Sequence, residues 1–176
     1  MTRTPTFYID RADLDRRSPI ADKMKRAERI HAMWLTGAKM IQEVEEVTKV
    51  DRLLLPDPNS KSVEFFQATS APEDRRDIAN EIRHTTAQAM KKNVAVRWLR
   101  EFPGYSLIIF NPQSVDAWVQ IEMTLPALHG GRRPSLELRK PQHSTSVDDI
   151  KMMFERLWTK DEYSREPNEK ELPSEL

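Results

Sequence analysis

The chain has 176 residues, 28 basic and 28 acidic, with 38% of its side chains apolar and 32% charged. That length suits one ordinary domain with a real core, and the cancelled charge argues against a surface built to neutralise many phosphates, so nucleic acid is not an expected partner. There is no cysteine, which excludes disulfides, thiolate metal sites and a cysteine nucleophile.

The first stretch, "MTRTPTFYIDRADLDRRSP", is charged and has no apolar run, so it reads as neither a signal peptide nor a membrane anchor. No stretch of about 18 apolar residues occurs anywhere, no membrane partner is expected, and the cytoplasm is the default compartment. Residues 1–17 form an arm whose large apolar side chains, Phe7, Tyr8, Ile9 and Leu14, can pack but cannot make a core. Ser18-Pro19 marks a helix start, a hydroxyl cap followed by a proline whose missing N–H costs nothing there, and this helix runs to about Glu28.

"IHAMWLT", Ile30 to Thr36, is a short apolar run that predicts a buried strand ending at Thr36-Gly37. "AKMIQEVEEVTKV" predicts a helix with Met40, Ile41, Val44, Val47 and Val50 on one face. "DRLLLP" is a second short strand, stopped by Pro56-Asp57-Pro58-Asn59. Strand, helix and strand in such quick succession are most economically a βαβ unit with a parallel pair.

After a loop, "SAPEDRRDIANEIRHTTAQAMKKN" predicts a long helix. Ser70 and Glu73 stand at capping-box spacing, Pro72 in the first turn, and Ile78, Ile82, Thr85 and Ala89 on one face. "NVAVRWLR", "YSLIIFN" and "DAWVQIEM" read as three strands, with connections at Pro103-Gly104 and Asn111-Pro112-Gln113-Ser114 short enough for antiparallel pairing. "RPSLELR" adds another. The last helix, capped by Thr145 and Asp148, carries the stripe Ile150, Met153, Phe154, Leu157, Trp158. Residues 18–160 make up the expected domain. From Asp161 the chain is polar and holds prolines, so it cannot offset its ordering entropy by burial, and 161–176 is expected to be a disordered tail.

Motifs that carry chemistry are few. Four glycines, at 37, 104, 130 and 131, cannot spell a GxGxxG or a P-loop, and no GxSxG elbow occurs. None of His31, His84, His129 and His143 has a second His or a carboxylate three or four residues on, so neither a metal nor a cofactor is expected. Asp57 follows directly on a predicted parallel strand, where open α/β sheets place ligand crevices, although a turn Asp capping its own backbone is the plainer explanation. Arg132 and Arg133 in "GGRRPS" suit a phosphate or carboxylate, or else a solvated loop. Trp34, Trp98, Trp118 and Trp158 fall in strands or on an apolar helix face and read as core.

The succession "IHAMWLTG", "RLLLPDP", a long helix, "VAVRWLREFPGYSLIIFNPQ", "DAWVQIE", "RPSLELR" and "FERLW" resembles a phospholipase D-like domain from about Pro19 to Lys160. The similarity is to short bacterial domains of that kind, found alone or attached to helix-turn-helix regulators. It implies a single α/β domain with a mixed sheet of about six strands flanked by helices. Enzymes of that family use a His-x-Lys pair followed on the same strand by an Asp, with one His as nucleophile and a second as general acid. Laid on "GYSLIIFN", the pattern puts Gly104 for the His, Ser106 for the Lys and Asn111 for the Asp, and no His elsewhere has a Lys two residues later.

The resemblance therefore implies a crevice without its nucleophile: a non-catalytic binding or sensing module, regulatory in role, taking a partner chain or a small anionic ligand. Thr36, Asp57, Ser106, Asn111 and Arg133 are the candidate ligand-binding residues, with none catalytic and none for a metal. The alternative is a phosphodiesterase or nuclease with a non-standard active site. A two-fold homodimer is expected, because enzymes of the family join two half-sites, this chain holds one, and sheet edges need cover.

Overall fold

The computed structural model describes residues 4–43, 48–70, 76–124 and 130–173. Among these, eight strands form one sheet: β1 Thr6–Tyr8, β2 Ile30–Met33, β3 Val50–Pro56, β4 Ala95–Leu99, β5 Tyr105–Phe110, β6 Trp118–Met123, β7 Ser135–Arg139 and β8 Ser164–Arg165. Their order is β1-β7-β6-β5-β2-β3-β4-β8. β2, β3 and β4 run parallel, and every other neighbouring pair is antiparallel. The helices are α1 Arg11–Arg17, α2 Ile20–Arg26, α3 Ala38–Glu43, α4 Lys61–Thr69, α5 Ile78–Lys91 and α6 Ser144–Thr159.

Strand periodicity divides the core in two. On β5, Ile108 and Phe110 join the cluster under α1 to α5, while Leu107 and Ile109 join the cluster under α6. Coverage on both faces explains why every residue of β2 is buried and why β3 carries the run Leu53–Leu55, which a one-sided sheet would not tolerate. The expected βαβ unit is present, with β2 and β3 parallel across α3. The chain is thus a single α/β domain whose mixed sheet is flanked by helices, with eight strands instead of about six.

The two additional strands come from the ends. The arm at 1–17 supplies β1, which pairs with β7, and α1, whose Leu14 is fully buried. The tail expected to be disordered from Asp161 is instead placed as far as residue 173. Ser164 is fully buried, its hydroxyl donates to the Leu157 carbonyl at 2.6 Å, and β8 pairs with β4. Arg165 binds Asp57 at 2.6 Å and Glu171 at 2.8 Å. The entropy argument counted only apolar area, whereas this segment is held by backbone pairing and charge-assisted hydrogen bonds. Residues 174–176 lie outside the described range.

Other expectations shift locally. β4 and β5 do not pair: β4 completes the parallel run between β3 and β8, and β5 lies between β6 and β2. The connection between them buries Phe102 edge-on against Phe66. Residues 61–69, read as loop, form α4, with the Ser60 hydroxyl accepting from Val63 N–H. Ser18 does not cap α2; its hydroxyl donates to Glu137 at 3.2 Å instead. Asp148 pairs with Lys140 and Lys151. Val44, Val47, Pro72, Glu73 and His129 fall outside the described residues. Among the described residues, no helix is long and apolar enough to cross a membrane.

Candidate functional site

β2 delivers the chain to Trp34, Leu35, Thr36 and Gly37 at the carboxyl end of the parallel strands, where α/β sheets keep their crevices. Gly37 has φ +65, and a Cβ there would lie 2.5 Å from Trp34 Cε3, so the chain can turn over that ring only with glycine. Beside this turn, β5 and β6 present Ser106 opposite Glu122 and Ile108 opposite Gln120. These four side chains share one face with the turn and line a cavity of about 130 Å³. Arg11 of α1, Arg76 before α5, and Arg133 after the 3-10 turn Gly130–Arg132 complete its polar wall.

Three guanidiniums against one carboxylate make the described lining cationic. Glu122 gathers two of them, with Arg11 Nη1 3.2 Å from Oε2 and Arg133 Nη1 3.5 Å from Oε1. Arg76, more exposed, pairs with Glu81 at 3.5 Å. Arg133 Nε is buried and has no hydrogen-bond partner; the same holds for Thr124 Oγ1, just after β6, and Ser135 Oγ, at the start of β7. Buried donors without acceptors are costly, and they are few in folded proteins.

Under the cavity lies a buried charge network. Lys23 Nζ donates to Gln120 Oε1 at 2.9 Å and to Glu137 Oε2 at 2.8 Å, and both ends of the Lys23–Glu137 pair are 1% exposed. Glu137 also accepts from Arg139 Nε at 2.6 Å. Burial pulls the Lys23 ammonium below the usual lysine range, opposed by Glu137. Burial would raise Glu137, but the hydrogen bonds and charges of Lys23 and Arg139 outweigh it and hold the carboxyl below its usual range.

The structure brings Thr36, Ser106 and Arg133 together in this cavity and places Asp57 and Asn111 elsewhere. Asp57 is a turn residue and a clamp, accepting from Asn59 N–H at 2.9 Å and pairing with Arg165. Asn111 has φ 50, and its side-chain oxygen accepts from Glu28 N–H at 2.8 Å, tying the end of β5 to the connection between α2 and β2. Sequence reasoning missed Arg11, Arg76, Gln120 and Glu122. For the last two a signal existed, since Gln120 and Glu122 recur with period two inside an apolar strand. No family model matches the chain, and no curated protein sequence is a significant match.

Among solved structures, the chain is similar to the crystal structure of a phospholipase D family member, Nuc from Salmonella typhimurium. The identity is 13% and the TM-score 0.53, over 94% of this chain and 99% of that one. The fold is phospholipase D-like. Ser106, on β5, faces the cavity. Gly104, just before β5, has φ +80 and no atom within 4 Å of an added Cβ. Among the described residues, no group of three or more His, Asp or Glu side chains is placed to hold a metal ion.

Proposed function

We propose that this protein is a non-catalytic binding or sensing module of phospholipase D-like fold, regulatory in role, that takes a small anionic group into the cavity at the end of β2. The observation that carries this reading is the convergence of Arg11, Arg76 and Arg133 on one small cavity with Ser106 and Thr36. Arginine forks suit planar and tetrahedral oxyanions, and Glu122 holds two of them in place before a ligand arrives. Phosphoryl transfer through a covalent intermediate needs a nucleophile, and the position of the family's His is Gly104. His31, which is buried, stacks on Phe154 in the other core cluster, away from the cavity. In this reading the module works in the cytoplasm as a two-fold homodimer.

Thermal unfolding with and without inorganic phosphate tests the binding. Wild-type protein is expected to be stabilised by phosphate, and Arg133→Gln to lose most of that shift. Incubation with bis-p-nitrophenyl phosphate is expected to give no turnover. Turnover abolished by Ser106→Ala would overturn the reading in favour of a phosphodiesterase with a non-standard site.

A further inference from the structure

We propose that Gln120 is the residue that reads the ligand, held as a hydrogen-bond donor toward the cavity by the buried Lys23–Glu137 pair, and that the ligand is a small, fully ionised oxyanion. This rests on the anion-site reading above and goes one step past it, to the group that selects the ligand and the pair that orients that group.

The argument begins with the amide. A lysine ammonium carries three donors and no acceptor, so a glutamine facing it must offer its oxygen. Lys23 Nζ takes Gln120 Oε1 at 2.9 Å in a site where Gln120 is 2% exposed. A flipped amide would set an NH2 group against an ammonium with no water to separate them. The amide N–H groups therefore turn away from Lys23, and Gln120 lines the cavity. Lys23 is fixed in turn by Glu137 at 2.8 Å, and Glu137 by Arg139 at 2.6 Å. Its charge also lies 5.1 Å from the centre of the Trp118 ring. The orientation of one amide is thus set by a chain of groups that themselves lie outside the cavity lining.

The polar groups that remain sort by sign. Both oxygens of Glu122, the one carboxylate among the described lining residues, already face guanidiniums. Arg133 Nε is an unpartnered buried donor. With Gln120 donating as well, the fixed groups left over are donors, and only the hydroxyls of Thr36 and Ser106 can turn either way. A ligand with its own N–H or O–H groups would find few acceptors, whereas one bearing only acceptors would satisfy the wall. At about 130 Å³ the cavity falls below the ~300–1,000 Å³ usual for pockets that enclose a drug-sized ligand, which favours a small group over a whole nucleotide.

Calorimetric titration with inorganic sulfate, inorganic phosphate and glycerol 3-phosphate tests this. Sulfate stays fully ionised, so its affinity for wild-type protein is expected to be flat from pH 7.5 to 5. Glycerol 3-phosphate should bind more weakly as it gains a proton near pH ~6. A preference for the ester over inorganic phosphate would identify an esterified ligand, and the reverse a free one. Gln120→Glu keeps the shape and the bond from Lys23 but exchanges the donor for a carboxylate oxygen that repels an anion, and should weaken binding by about tenfold or more.

The paired variant Lys23→Met with Glu137→Gln removes both charges together and frees the amide. It should weaken binding severalfold although neither residue lines the cavity. If wild-type protein binds none of the three, the anion-site reading falls and this inference with it. If wild-type protein binds and Gln120→Glu binds equally well, the inference alone is overturned, and the same follows if the folded paired variant binds as wild type does.

Discussion

At the scale of single residues, two glycines separate backbone strain from crowding. Gly37 and Gly104 both have positive φ, but an added Cβ meets Trp34 at Gly37 and nothing at Gly104. Gly104→Ala is therefore expected to cost about 1 kcal/mol from conformation alone, and Gly37→Ala distinctly more. Urea denaturation of the two variants checks the order; equal losses would show that the Trp34 ring yields. His31 sets a pH dependence. It is 3% exposed and stacks on Phe154 at 5.1 Å, and its Nε2 lies 3.3 Å from Asp51 Oδ1. Burial lowers its pKa, with Arg52 and Arg29 acting in the same direction and Asp51 and Glu155 opposing. The folded state then binds fewer protons than the unfolded chain below about pH 6.5, so stability is full above that value and declines as pH falls through the lowered pKa. Urea midpoints at pH 7.5 and 5.5 should differ, and the difference should shrink in His31→Phe.

At the scale of elements, the carboxy-terminal segment behaves as part of the sheet. Truncation after Lys160 removes β8 and Arg165, and uncovers the edge of β4, where the Arg165 guanidinium lies 4.8 Å from the Trp98 ring centre. It also leaves Arg97 without its bonds to Ser164. A loss of about 2 kcal/mol or more is expected, visible as a lower melting temperature. Arg165→Leu, which keeps the strand but loses the partly exposed pairs to Asp57 and Glu171, should cost only about 1 kcal/mol or less. An unchanged melting temperature after truncation would mean that the segment is not docked in solution.

At the scale of the whole molecule, the sheet ends at β1 and β8. The β1 edge is short and exposes Phe7 at 50%, with Ile9 next to it at 69%. An apolar edge of that kind invites a partner, and a symmetric one covers both copies with a single patch. Light scattering is expected to report the mass of two chains. A value near 20.6 kDa throughout the micromolar range would refute the dimer. Replacing Phe7 and Ile9 by Lys should shift any dimer toward monomer if that edge forms the contact.

What the sequence determined by itself was whatever local pattern encodes. Buried strands such as Leu53 to Leu55 and Leu107 to Phe110 announce themselves as apolar runs, and α6 as a stripe at helical spacing, because burial on two faces or one fixes the period. A turn such as Thr36-Gly37 and a breaker such as Pro56-Asp57 are equally local. Three of the five candidate residues fell in the cavity because they lie at such features: Thr36 in the turn after β2, Ser106 near the start of β5 and Arg133 shortly before β7. Only the tertiary structure decided the rest. Arg11 and Arg76 reach the cavity from an arm and a loop that carry no pattern of their own, and Gln120 acquires its direction from Lys23, 97 residues away in sequence. Asp57 and Asn111 were drawn into other contacts, one by the tail and one by the connection that leads into β2. Long-range hydrogen bonds and ion pairs leave no period in a sequence, so the donors that line this cavity could be found only after the chain had folded.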